Sequence, residues 1–142
     1  KSRCLNFKIS LTHNQSKEIT NKILNEDLGN FLNEEFITSY STPGHFLSII
    51  HFANNYDIDL KSLNLKNLIS KIILDKKYKK DDTIKNLIYS LMEHYFNNNI
   101  SIQNMKLIKM YNYFLKKINN TKVFNLDEEI LFMEFKDKVL NE

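Results

Sequence analysis

Two glycines, one proline, one cysteine and no tryptophan occur in 142 residues. So few turn-forming residues argue against all-β folds and doubly wound sheets, which need many of them, and favour long helices. A single thiol, Cys4, cannot form an intrachain disulfide, which fits a reducing cytoplasm. No apolar run reaches the roughly 18 residues of a membrane span, and no signal-peptide pattern appears. The usual catalytic and cofactor signatures are also missing. There is no P-loop, no GxGxxG, no HExxH, no CxxC and no GxSxG, so no cofactor is expected and the chain looks empty as a self-contained enzyme.

The 42% hydrophobic and 26% charged residues are those of a globular protein with a real core. A net charge of +3 permits contact with nucleic acid without demanding it. The one dense basic run, Lys76-Lys77-Tyr78-Lys79-Lys80, lies between two helical patterns. It reads as a solvated loop, with a phosphate contact as the alternative.

Leu5, Phe7 and Ile9 alternate with polar residues, the only clear strand pattern. The chain opens without Met and enters this strand at once, so it is expected to be the C-terminal part of a longer protein. Thr12 and Gln15 fit a capping box, and Asn33 is placed to cap a short helix. Thr42 can cap a third helix, with Pro43 at its first position, where the missing N–H costs nothing. That helix is apolar nearly all round and should be buried, ending near Asn54-Asn55.

A longer pattern from Asp59 holds Leu60, Leu63, Leu65, Leu68, Ile69, Ile72 and Ile73. Asp81 or Asp82 caps the next helix, whose apolar residues follow i, i+3, i+4 spacing until Asn97-Asn98-Asn99. In the following helix Met105, Ile108, Tyr111, Leu115 and Ile118 form one apolar side, and Leu107, Met110 and Phe114 a second. Asn125 with Glu128 predicts a capping box for the last helix, whose Ile130–Phe135 stretch is too apolar for a wet surface. That helix either centres its own bundle or meets a partner.

Polar clusters give little chemistry. His45 and His51 are six apart, on opposed faces of one helix, so they do not converge on a metal. His13 and His94 look isolated. Asp81-Asp82 and Asp127-Glu128-Glu129 sit at helix starts, where capping accounts for them. No metal site is expected.

Ser2-Arg3-Cys4 before a strand, and Thr42-Pro43-Gly44 about forty residues later, resemble clamp-loader subunits of the AAA+ class. The C-terminal Phe124–Phe135 stretch, an Asn followed by acidic and aliphatic residues, is similar to the last collar helix of that family. The resemblance implies an all-α fold with three parts: residues 1–11 as the end of the AAA+ core, 12–55 as a three-helix lid, and 56–142 as a helical collar. Ser41 stands where the family usually has Gly. Gly44 stands where ATP-hydrolysing members carry an arginine on the nucleotide phosphates, which implies a non-hydrolysing member. The resemblance implies that Arg3 is an arginine finger acting in trans, with Ser2 and Cys4 holding its backbone. It also implies motor subunits and the delta subunit as partners, with sliding clamp and primed DNA reached through the complex, in the cytoplasm.

A collar that buries faces against neighbours makes Leu107, Met110, Phe114, Phe132 and Phe135 interface candidates; the alternative is that they fill the domain's own core. Two other readings remain open at this level: a motor-type ATPase, and a generic helical module binding protein or nucleic acid.

Overall fold

Side-chain caps set most of the helix starts. The computed structural model describes residues 10–38, 40–79, 81–101 and 103–141. The strand expected at 5–9 lies outside them, as do Ser2, Arg3 and Cys4. Helix α1 (His13–Leu24) opens on the expected box: Thr12 Oγ1 accepts the Gln15 N–H, and Gln15 Oε1 accepts the Thr12 N–H at 2.9 Å. A 3-10 turn at Leu28–Asn30 leads to the short α2 (Glu34–Ile37), capped by Asn33. Helix α3 (Pro43–Asn55) starts on Thr42 and Pro43 and buries Phe46, Ile49, Ile50, Phe52 and Ala53.

Helix α4 (Leu65–Leu74) begins later than its apolar pattern. Asn64 caps it, and the Leu65 N–H is taken by Glu35 Oε2 at 2.8 Å. Leu60 is buried all the same, from the turn before the helix. The basic run forms a 3-10 turn at Lys77–Lys79, and Asp81 then caps α5 (Asp82–Asn99). Helix α6 (Met105–Phe124) and α7 (Glu128–Phe135) follow, and the chain closes in a π-helical turn at Lys136–Leu140. The fold is all-α, with no strand among the described residues.

Asn125 is not the cap of α7. It ends α6 in the left-handed region, φ 50°, its N–H donating to Thr121 O. Asparagine tolerates that conformation better than most residues. Asp127 caps α7 instead, accepting the Glu129 N–H at 2.8 Å.

Helix α5 is central. It buries Ile84, Leu87, Ile88, Leu91, Met92 and Phe96, and packs against α3, α4 and α6. One continuous core runs from Leu28 to Leu140, so the boundary expected near residue 55 is bridged by packing of α3 on α5. Glu35 adds polar ties across it: its carbonyl accepts from His94 Nε2 at 2.9 Å and from Asn98 Nδ2 at 2.6 Å.

Candidate functional site

The start of α3 and the middle of α5 enclose a cleft of about 210 Å³, lined by Tyr40, Ser41, Thr42, His45, Glu93 and Asn97 among others. Thr42 is extended (φ −75°, ψ 155°), and its Oγ1 accepts the His45 N–H at 3.2 Å. Pro43 supplies the first helical residue without a wasted donor. Gly44 is exposed, its φ is not in the left-handed region, and a Cβ there would meet nothing within 4 Å. The fold therefore places no demand for glycine at this position.

On the cleft wall, His94 joins two elements. A carbonyl can only accept, so His94 Nε2 carries the proton donated to Glu35 O. In that neutral tautomer Nδ1 accepts, and Ser41 Oγ donates to it at 3.3 Å. The His45 ring lies 6.1 Å from the His94 ring, centroid to centroid. Burial, then the nearby His94, pushes the His45 pKa down to about 4. Burial also lowers His94, against the Glu35 carbonyl, which raises it. Both rings are neutral at neutral pH. Ser41 is 5% exposed, and its bond to His94 ties the segment entering α3 to α5. Among the described residues no lysine or arginine lines the cleft.

This grouping was not apparent from His94 alone, but one signal existed. His94 falls on the i, i+4, i+7 stripe of Leu87 and Leu91, where a polar residue must find a buried partner. Its contacts with Ser41 and His45 join segments distant in sequence and have no local signature. His51 is exposed and accepts from Asn55 Nδ2 at 3.0 Å. Among the described residues no group of three or more His, Cys, Asp or Glu side chains is placed to hold a metal ion.

The five interface candidates face inward to different degrees. Phe114, Phe132 and Phe135 are each 0% exposed, and Leu107 and Met110 are half-buried against the core. Phe135 packs edge-on to Phe114 and Phe96, with centroids 5.2 and 5.7 Å away. The second apolar side of α6 is thus its inward side, and these aromatics build the chain's own core. Met105 and Leu115, from the first side, are exposed, as are Val123, Phe124, Leu126 and Ile130 around the α6–α7 turn.

The basic run is also used internally. Lys76 and Lys79 bind Glu129 at 2.7 and 2.5 Å, and Lys77 lies 3.8 Å above the Tyr56 ring. The two lysines hold the Glu129 carboxyl down at about 2. Asp127 and Glu129 act as a helix start and a salt-bridge anchor, while Glu128 accepts from Tyr89 Oη at 3.0 Å.

Among the described residues no helix is long and apolar enough to cross a membrane. No protein-family model, no curated protein and no solved structure matches this chain.

Proposed function

We propose that the chain is the lid-and-collar part of a non-hydrolysing clamp-loader subunit, of the delta-prime type of bacterial DNA polymerase III. One observation carries the reading. Thr42-Pro43-Gly44 stands at the start of α3, the required distance after Ser2-Arg3-Cys4, and Gly44 faces open space where a motor subunit would place an arginine. A Cβ would fit there without contact, so the backbone does not itself require glycine; what is missing is the charge. Among the described residues three short helices, α1 to α3, precede α4 to α7, the order that a lid followed by a collar requires.

In this role the chain performs no chemistry of its own. Arg3 would reach a neighbouring motor subunit's nucleotide, where its planar fork stabilises charge on the departing γ-phosphate. Such fingers contribute about 10³–10⁵ in rate. The collar would bind the motor subunits and the delta subunit, and through them serve the sliding clamp and primed DNA. With the large aromatics of α6 and α7 in the core, the exposed Val123, Phe124, Leu126 and Ile130 are the apolar contacts left for a neighbour at this end.

The test is size-exclusion chromatography with light scattering, mixing the chain with the clamp-loader motor subunit of the same organism. A co-eluting complex that is lost in a Phe124→Ser, Ile130→Ser variant is the expected result. A chain that stays monomeric beside a competent motor subunit would sink the proposal.

A further inference from the structure

Charge is shared unevenly along the chain. Helix α6 carries Lys106, Lys109, Lys116, Lys117 and Lys122 and no Asp or Glu, although the whole chain is only +3. Its inward stripe is Phe114 and Thr121, with Leu107, Met110 and Ile118 beside them. On the opposite side, at i, i+4, i+7, i+11, i+14 and i+18, stand Met105, Lys109, Asn112, Lys116, Asn119 and Val123, all exposed. That spacing keeps six residues in one row along the helix.

Two of the lysines beside the row are engaged elsewhere. Lys117 pairs with Glu134, and Lys122 lies 4.5 Å above the Tyr89 ring. Lys109 and Lys116, within the row, make no ion pair among the described residues.

We infer that the outer face of α6 docks along the phosphate backbone of a nucleic acid. Lys109 and Lys116 are about 10 Å apart along the axis, at about 1.5 Å rise per residue. Asn112 and Asn119 put amide donors between and beside them, and no carboxylate on the helix opposes an anion. Lysine, asparagine and similar donors to phosphate oxygens position a protein on nucleic acid without reading its sequence. A membrane surface fits less well, because Asn112 and Asn119 stand where an interfacial helix needs apolar residues. An acidic protein partner also fits less well, since the row has no buried apolar or aromatic anchor at its centre. The inference does not depend on the clamp-loader assignment and goes beyond it, because it places a direct contact on this chain.

The test is fluorescence anisotropy of the whole chain with labelled single-stranded and duplex DNA of about 20 nucleotides, from about 50 to 200 mM salt. Binding at low salt is expected, with log K falling linearly with log salt. A Lys109→Gln, Lys116→Gln variant with unchanged circular dichroism should reduce that slope by about 2, one for each phosphate contact. Lys71→Gln, on exposed α4 surface, should leave affinity and slope as they were. No anisotropy change at low salt would overturn the inference, as would a double variant that keeps the parent's slope. So would displacement of the DNA by polyglutamate at equal charge, or retention on phosphatidylserine vesicles without DNA binding.

Discussion

Lowering the pH should loosen the fold through His45 before any carboxylate responds. In the folded chain burial and His94 push the His45 pKa from 6.5 to about 4. An unfolded chain therefore takes up this proton first, and stability falls as pH drops from about 6.5 towards 4. Above that window the contribution is complete; below it the contribution is gone. At about 1.4 kcal/mol per pKa unit the whole span is worth about 3 kcal/mol. Roughly 2 kcal/mol of it is lost between about pH 7.5 and 5. His94 is lowered by burial as well, so its proton acts in the same direction. Glu129 is held down to about 2 by Lys76 and Lys79, and Asp59 and Asp81 are lowered too. Those groups contribute stability above their unfolded pKa values and lose it only at lower pH, so the higher window isolates the histidines.

The assay is urea unfolding followed by helix circular dichroism at the two ends of that window. With a slope of about 1–3 kcal/mol per molar urea, the midpoint should drop by roughly 1 M on acidification. His45→Gln keeps a polar side chain but removes the proton, so its midpoint should depend less on pH, whatever its absolute stability. A parent midpoint equal at both pH values would refute the reasoning. So would a Gln variant with the parent's full pH dependence, since the buried imidazole would then not be the group that responds.

Three further outcomes test the packing and the caps. Phe135→Ala should cost about 3–5 kcal/mol by urea unfolding, because Phe135 is 0% exposed among Phe96 and Phe114. Thr42→Ala should cost about 1 kcal/mol in the same assay by removing the side-chain cap on the His45 N–H, which keeps only its bond to the Thr42 carbonyl. At Asn125, which has a φ of 50°, Gly should be tolerated while Ala should destabilise by about 1 kcal/mol in thermal unfolding.

The capping chemistry was legible because it is local. Thr12 with Gln15, Asn33, Thr42 with Pro43, and Asp81 each cap within three residues, and each starts the helix that the sequence places there. The start of α4 was misplaced although its cap is local: Asn64 accepts the Asn67 N–H, but the apolar pattern runs back to Leu60, which is buried from the turn before the helix. Asn125 misled for a different reason: asparagine suits both a helix start and a left-handed helix end, and only the chain path of α6 decides between them. Periodicity located two apolar sides on α6 but could not say which faced inward, since both carry large residues. That choice depends on Phe96 and Phe135, which lie in other helices.

Placing Phe114, Phe132 and Phe135 in the core changes where a partner could bind. A neighbour cannot use those rings without opening the chain, so a partner of the proposed kind would have to meet the α6–α7 turn instead. Val123 belongs both to that turn and to the row containing Lys109 and Lys116. A subunit seated on Phe124, Leu126 and Ile130 would cover the C-terminal end of the row. It would leave Lys109, about four turns before Val123, clear of the contact. The two surfaces can therefore be occupied together, and they respond to different forces. Apolar burial at the turn resists salt, whereas phosphate contact along α6 weakens steeply with it. If both proposals hold, raising salt should release nucleic acid from the chain while leaving the complex with its protein neighbour intact.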